Sequence, residues 1–271
     1  MLMVVNWGIE AVKWKFSVAT IYPVSFLQAF KAVFSGVSFS VTMPNRVGEY
    51  AGRMMYLPEG KRLKTISVTL IGSISQLLIT LIIGVIGFIV IKDELLQAGL
   101  LSNIWYHFIL FSIIAAMLVL IPFYFGITAV GKWIKRWMKN NRFLYLFESL
   151  ETFNVQHLLI LLLLSFLRYI VFFSQYFLLF SLFDVYVGAQ VVWVVISVVF
   201  LTMAVIPSIA LVELGLKGEI SLQLMGLFTA NSLGIILTSV TIWFINLIVP
   251  ALIGSILILS IKVFKRKNEI I

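Results

Sequence analysis

Long, uninterrupted apolar runs dominate this sequence and restrict what it can fold into. About 20 helical residues cross the roughly 30 Å hydrocarbon core of a bilayer. The runs also lack the alternation with a period of two that barrel strands show. The sequence therefore predicts an all-α, polytopic membrane protein with about six full spans: Ser17–Met43, Ile66–Ile91, Ile104–Gly126, Leu158–Phe183, Val185–Ile206 and Ile235–Ile261.

The composition excludes other classes of protein. Of the 271 residues, 62% are apolar and 11% are charged, against about 25% charged in soluble domains. So few charges cannot cover a soluble fold, and the apolar fraction is far too high for a disordered chain. The net charge of +9 does not indicate a nucleic-acid partner, because the basic residues lie mostly between the apolar runs. There they favour cytoplasmic loops or anionic lipid headgroups.

The residues that usually carry catalysis or bind metals are scarce. There is no cysteine, and the two histidines, His107 and His157, are not paired at a metal-ligand spacing. The sequence has no glycine-rich phosphate loop, and its serines and threonines have no histidine or aspartate partner pattern. We therefore expect no enzyme activity, no metal and no cofactor.

A strongly basic segment separates the third and fourth runs. Lys132–Arg142 holds five cations and no acid, and its two tryptophans, Trp133 and Trp137, are four residues apart. This pattern predicts an amphipathic helix on an anionic leaflet. A solvated loop is the alternative, and both interpretations place the segment in the cytoplasm.

The distribution of basic residues conflicts with six simple spans. Lys61–Lys64, Lys132–Arg142 and Lys262–Lys267 are all basic, and such segments should share the cytoplasmic side. Three spans between 142 and 262 would place two of them on opposite sides. The conflict disappears if residues 207–234 also cross or re-enter the membrane, which we favour, or if one segment breaks the rule.

Two segments beside the runs are too polar to span, and they resemble each other. They are Met43–Leu57 and Ile206–Leu224. Each has a proline near its start, then an acid, then a base four residues later: Pro44, Glu49 and Arg53 in the first, and Pro207, Glu213 and Lys217 in the second. Proline ends one helix and starts another, and the acid and base then share a helix face. The pattern predicts two broken or re-entrant segments, which membranes tolerate inside protein or beside a watery cavity.

The recurrence predicts an internal repeat within a single transmembrane domain, 1–271. Its halves are about 17–126 and 158–261, joined by the basic linker 132–156. Surface ion pairs in ordinary interfacial connectors are the alternative interpretation.

Glycines accompany both segments. Gly48, Gly215 and Gly218 are expected to permit close backbone approach or helix breaks. A second register, which matches Gly48-Glu49 to Gly218-Glu219, keeps Glu219 as a further candidate for the second acid.

The fourth run contains a cation deep in the apolar sequence. Arg168 lies ten residues into the run, and Gln175 follows seven residues later on the same helix face. A cation at the bilayer centre costs about 2.5–3.5 kcal/mol, so Arg168 should face the bundle interior. There it could contact an anionic headgroup or pair with Glu49 or Glu213. A purely structural buried pair is the alternative.

These motifs resemble those of a known family. Pro44-Asn45-Arg46-Val47-Gly48-Glu49, followed by Arg53, resembles the first signature of the flippase-like membrane domain family, which includes the transmembrane region of lysylphosphatidylglycerol synthase. Pro207–Glu219 resembles the second signature less closely. Arg168 with Gln175 resembles a third element, and Trp7–Phe16 resembles the segment that precedes the first signature. The resemblance covers nearly the whole chain.

The chain departs from this family at both ends. Family members usually have one or two spans ahead of the position of Trp7, so the resemblance implies that such spans are missing here. Only Lys262–Ile271 follows the last run, which is too short for the soluble aminoacyl-transfer domain of the synthase. The resemblance therefore implies a stand-alone transmembrane member.

The function that the resemblance implies is translocation of a lipid or lipid-linked intermediate in a bacterial inner membrane. Its partners would be anionic lipid headgroups and envelope-biosynthesis proteins. The residues expected to bind the headgroup are Arg46, Glu49, Arg53, Arg168, Gln175, Glu213, Lys217 and Glu219. An accessory subunit of envelope lipid or polysaccharide biosynthesis is the alternative, followed by a membrane-embedded lipid-modifying enzyme.

Overall fold

The chain folds into a bundle of helices. The computed structural model describes residues 1–41, 43, 47–137, 149–207 and 209–268, and this part contains no strand. A π-helical turn, Phe244–Ile248, joins the last two helices, and short 3-10 turns occupy Glu59–Lys61 and Ser149–Thr152. The helices are α1 Leu2–Val18, α2 Phe26–Ser40, α3 Gly48–Met54, α4 Lys64–Val90, α5 Lys92–Gln97, α6 Asn103–Phe125, α7 Ile127–Trp137, α8 Val155–Leu182, α9 Ala189–Val205, α10 Ala210–Met225, α11 Ser232–Trp243 and α12 Val249–Asn268.

Four helices in the described part are long and apolar enough to cross a membrane. They are Lys64–Val90, Asn103–Phe125, Val155–Leu182 and Ser232–Ser260, the last of which runs through the π-helical turn. The all-helical prediction is confirmed, and these helices indicate an integral membrane protein. The structure has four such helices where the sequence predicts about six spans.

The first predicted span, Ser17–Met43, is not one helix. α1 ends at Val18, and α2 begins at Phe26. Between them Pro23 cannot donate a backbone hydrogen bond, and the side chain of Ser25 caps α2 by accepting from the backbone N of Gln28 at 3.2 Å. The 15 residues of α2 extend only about 22 Å. The prediction was wrong here because apolar residues continue through the turn.

The fifth predicted span, Val185–Ile206, is also shorter in the structure. α9 holds 17 residues and extends about 25 Å. Before it, Asp184 has a φ of 57°, a left-handed conformation that suits a turn. After it, Ile206 is extended, as expected for a residue before a proline.

Shared core clusters reveal the directions of the long helices. One cluster contains residues near the starts of α4 and α8 and near the end of α6: Val68, Leu158 and Tyr124. A second contains residues near the ends of α4 and α8 and near the starts of α6 and α11: Phe88, Phe180, Tyr106 and Ile235. Therefore α4 and α8 are parallel, and α6 and α11–α12 run opposite to them.

This arrangement places the basic segments at one end of the bundle. Lys64 begins α4, α7 follows the end of α6, and α12 carries the basic C-terminal residues at its end. We call this the basic end. α7 is the described part of the predicted basic linker, and it exposes Lys132, Trp133, Lys135 and Arg136. Residues 138–148 lie outside the described residues.

Two pairs of consecutive helices form hairpins that open at opposite ends. In the first hairpin, α2–α3, the Nε2 of Gln28 donates to the backbone O of Tyr56 at 3.1 Å, so it opens at the basic end. In the second hairpin, α9–α10, Val192 and Met225 share the cluster at the other end. The second hairpin thus returns to its starting end, so the three basic segments share one end without a further crossing.

Each hairpin packs against the long helix that follows the other one. α2 contacts α12, and α9 contacts α4. Glycines allow these close crossings, because a methyl group on Gly84 or Gly87 would lie 2.7–2.8 Å from the Cβ of Leu201 or Ser197. A methyl group on Gly254 would overlap the backbone O of Phe34. The order of short helix, break, helix and long helix therefore occurs twice, with α3 much shorter than α10.

The glycines of the two predicted broken segments behave differently. A methyl group on Gly48 would overlap the backbone of Phe39, so this residue does permit close approach. Gly215 and Gly218 lie inside α10, with nothing within 4 Å of an added methyl group. The expectation that they permit close approach or a break was wrong, because the break occurs earlier, around Pro207. Pro44 lies outside the described residues.

Candidate functional site

A polar stripe along α1 supplies the centre of the candidate site. Asn6, Glu10, Lys13 and Ser17 are all buried, and their spacing of four, three and four residues places them on one helix face. Polar groups in a membrane helix avoid lipid and turn toward protein or water. The stripe therefore faces the neighbouring helices.

Glu10 is bound by three cations from three helices. Its Oε1 lies 2.9 Å from Arg53 of α3, and its Oε2 lies 2.9 Å from Lys13 and 2.5 Å from Arg168 of α8. All four residues are at most 7% exposed. The negative charge of Glu10 offsets part of the free-energy cost of burying the three cations. Removal of one partner would leave a buried charge uncompensated. We call these four residues the Glu10 cluster.

The first acid–base pair extends this cluster. The Nη2 of Arg53 donates to Oε2 of Glu49, one helical turn earlier, at 2.8 Å, and the same nitrogen donates to Glu10. Gly52 faces Gly36 of α2 without room for a side chain. That close packing brings α3, and with it Arg53, into the bundle interior.

Arg168 is held by a hydrogen bond and by two aromatic rings. Its Nε donates to Oδ1 of Asn6 at 2.9 Å, and its guanidinium lies 5.2 Å and 5.7 Å from the ring centroids of Trp7 and Phe172. Cation–π contacts of this kind stabilise a desolvated guanidinium. Arg168 is residue 14 of the 28 in α8, so its charge lies at the middle of a helix long enough to cross a membrane.

The second acid–base pair lies within α10. Lys217 donates to Oε1 of Glu213 at 2.5 Å, and both side chains are 12–15% exposed. The spacing of four residues places them on one face of the helix. This pair is a separate group of charges from the Glu10 cluster.

A cavity of about 610 Å³ is shared by the two groups of charges. Charged residues of both groups line it, together with aromatic side chains of α8 and α9 and with Pro207 at the tip of the second hairpin. From α4 it is lined by Ser73 and Thr80, in the central part of that helix. The charged lining residues are Glu10, Lys13, Glu49, Arg168, Glu213 and Lys217.

The structure brings together most of the residues that the sequence singles out for headgroup binding. Glu49, Arg168, Glu213 and Lys217 line the one cavity, and Arg53 lies directly behind Glu10 and Glu49. Whether they bind a headgroup stays a prediction.

Two of the other predicted site residues do not line this cavity, and a third is not described by the structure. Gln175 accepts from Nδ2 of Asn246 at 2.9 Å within the bundle. Glu219 is exposed and accepts from Gln223 on the same helix at 2.8 Å, because it projects from a different face of α10 than Glu213. Arg46 lies outside the described residues.

Sequence reasoning missed the residue at the centre of the site. Glu10 and Lys13 enter the sequence prediction only within the segment Trp7–Phe16, and Asn6 does not enter it. Their helical spacing inside an apolar stretch was a usable signal, because a stripe of four polar residues on one face predicts a buried polar surface. The identity of their partners on α3 and α8 depends on tertiary packing.

No family model, no curated protein and no solved structure matches the chain. Among the described residues, no group of three or more histidine, cysteine, aspartate or glutamate side chains could hold a metal ion. The cavity presents cations and carboxylates, which act by electrostatic attraction and hydrogen bonding, around a volume of about 610 Å³.

Proposed function

We propose that the chain translocates a membrane lipid or lipid-linked intermediate whose anionic, phosphate-bearing headgroup enters the cavity between the two hairpins. The observation that carries the proposal is the position of this cavity. Its lining combines Arg168 at the centre of α8 with Lys13 of α1 and Lys217 of α10, at a depth where hydrocarbon would otherwise surround the headgroup.

The charges of the cavity reduce the barrier that a headgroup meets. Transfer of an ionised group into hydrocarbon is very costly unless it is paired. Lys13, Arg168 and Lys217 can donate to phosphate oxygens, and arginine and lysine are the usual phosphate-binding side chains. Glu10 and Glu213 accept from these cations in the structure, so the same carboxylates can satisfy the cations between transport events.

The opposite openings of the two hairpins support a transport role. With the basic end in the cytoplasm, the first hairpin re-enters from the cytoplasmic side and the second from the opposite side. Both hairpins contribute to one cavity, through Glu49 and through Pro207, Glu213 and Lys217. Inverted repeats with broken helices around a central site are typical of secondary transporters, which open to one side at a time. A bacterial inner membrane is the proposed location.

Lipid redistribution in vesicles tests this function, and Lys217→Gln is the most informative variant. Lys217 lines the cavity and donates to Glu213, one turn earlier on the same helix. A hydrogen bond to a charged group contributes about 1.5–3 kcal/mol, so we expect the rate for fluorescent phosphatidylglycerol to fall about tenfold. The measurement is dithionite accessibility of the labelled lipid in reconstituted vesicles.

The matched control is Lys61→Gln, which removes an exposed lysine in the 3-10 turn that precedes α4 and should leave the rate unchanged. Equal rates in wild-type vesicles and protein-free vesicles would contradict the proposed function. Chemical turnover of the lipid without redistribution would instead favour a lipid-modifying enzyme.

A further inference from the structure

A chain of hydrogen-bonded, buried amides leads from Arg168, at the cavity, to Gln175, two turns further along the same helix. Beginning at Arg168, it passes through Asn6 and Asn246 to Gln175, with donor–acceptor distances of 2.9, 3.3 and 2.9 Å. Its three amide residues are between 0% and 8% exposed. These hydrogen-bonded amides connect α1, α8 and the turn between α11 and α12, which are distant from one another in sequence.

The direction of every hydrogen bond in this chain follows from its first member. A guanidinium can only donate, so Asn6 must present its oxygen to Arg168 and its NH₂ group to Asn246. Asn246 then presents its oxygen to Asn6 and its NH₂ group to the oxygen of Gln175. One orientation of all three amides therefore satisfies the whole chain, and a change at one amide reaches the next.

The backbone around Asn246 is unusual. Asn246 is the middle residue of the π-helical turn Phe244–Ile248, and its Nδ2 also donates to the backbone O of Ile242 at 3.1 Å. Single π-helical turns inside α-helices occur frequently at functional sites, because the extra residue re-aims a side chain. Here the turn lies where Asn246 meets both Asn6 and Gln175.

We propose that Asn6, Asn246 and Gln175 are positioning residues that hold the guanidinium of Arg168 in the orientation required by the headgroup. This inference rests on the proposed function, because it names the residues that prepare its central cation. Trp7 and Phe172 already restrict the plane of the guanidinium, and the amide chain determines the rotation of its Nε edge. Gln175 thus acts through Asn246 and Asn6 rather than on the lipid.

A double-mutant cycle tests whether the amides act through Arg168. The probe is short-chain dihexanoyl phosphatidylglycerol, bound by purified protein in detergent. We expect Asn246→Leu, which is close in size, to weaken binding five- to tenfold in the wild-type background and less than twofold in Arg168→Lys. Lysine has no Nε–H to donate to Asn6, so the first hydrogen bond of the amide chain is already absent in that background. Equal losses in both backgrounds, or no loss in the wild type, would overturn the inference.

Thr238→Val is the matched control, because Thr238 is fully buried on α11 and its hydroxyl has no hydrogen-bond partner. It should leave binding unchanged, and a loss equal to that of Asn246→Leu would overturn the inference. If Asn246→Leu does not fold, Gln175→Leu enters the same cycle, with a smaller expected loss because Gln175 is one hydrogen bond further from Arg168 than Asn246 is.

A second measurement needs no lipid and so separates this inference from the proposed function. In protein labelled with ¹⁵N-arginine, the Nε–H resonance of Arg168 is identified by its loss in Arg168→Lys. We expect this proton to be protected from solvent exchange, and to shift and lose protection in Asn246→Leu but not in Thr238→Val. An unchanged resonance in Asn246→Leu would refute the amide pathway. Failure of wild-type protein to bind any phosphate-bearing lipid, with the resonance behaving as expected, would refute only the headgroup proposal.

Discussion

Replacing Glu10 by glutamine should strongly destabilise the fold. The carboxylate of Glu10 lies within 2.9 Å of Lys13, Arg53 and Arg168, and a neutral amide would leave these buried cations repelling one another. Removal of one partner from a buried ion pair costs about 3–5 kcal/mol. A loss of that size corresponds to a melting temperature lower by about 10 °C. Tryptophan-fluorescence thermal unfolding in detergent measures the change.

Two further variants test whether the destabilisation comes from the loss of a buried negative charge. Glu59→Gln removes an acid that is 84% exposed and lies 3.5 Å from Arg62, and exposed pairs contribute at most about 1 kcal/mol. Glu10→Asp keeps the charge but shortens the side chain, and it should fall between the wild type and Glu10→Gln. If Glu10→Gln and Glu59→Gln melted at the same temperature, the Glu10 cluster would not hold α1, α3 and α8 together.

A single methyl group at Gly52 should also destabilise the protein, whereas the same change at Gly218 should not. The added carbon on Gly52 would lie 2.5 Å from the backbone N and Cα of Gly36, and relief requires α2 and α3 to separate. Overpacking of this kind costs about 1–3 kcal/mol or more. At Gly218, where nothing lies within 4 Å, alanine should instead stabilise α10 by up to about 1 kcal/mol.

The opposite signs of these two effects provide the control, because both substitutions are Gly→Ala within a helix. Thermal unfolding of Gly52→Ala and Gly218→Ala under identical conditions is the measurement. Gly52→Ala should also reduce lipid redistribution, because separation of α3 from α2 moves Arg53 and Glu49. A melting temperature of Gly52→Ala at or above that of the wild type would contradict the close packing of α2 on α3.

Some features of the fold and candidate site follow from local sequence alone. The class of the protein follows from the apolar runs, because hydrophobicity over a helix length directly measures the preference for lipid. The pairs Glu49/Arg53 and Glu213/Lys217 follow from helical spacing, because residues four apart meet on one face. The inward orientation of Arg168 follows from the cost of placing a cation in lipid.

Other features depend on tertiary contacts that local sequence does not specify. Ser17–Met43 reads as one span because hydropathy is nearly continuous through the turn around Pro23, and only the cap at Ser25 marks a new helix. The three partners of Glu10 cannot be read from spacing, because Arg53 and Arg168 are 43 and 158 residues away from it. Gln175 shares a helix face with Arg168, yet it binds Asn246, since α11–α12 packs beside that part of α8.

The exchange of helices between the two halves has a consequence for biogenesis. Phe34 of α2 meets Gly254 of α12, so a contact that closes the first half involves a residue synthesised 220 positions later. Until α12 leaves the ribosome, the face of α2 that α12 will later cover stays exposed to lipid or to chaperones. Contacts this distant in sequence form slowly. Membrane insertion of the first half can therefore proceed during translation, but its hairpin completes packing only after α12 has been synthesised.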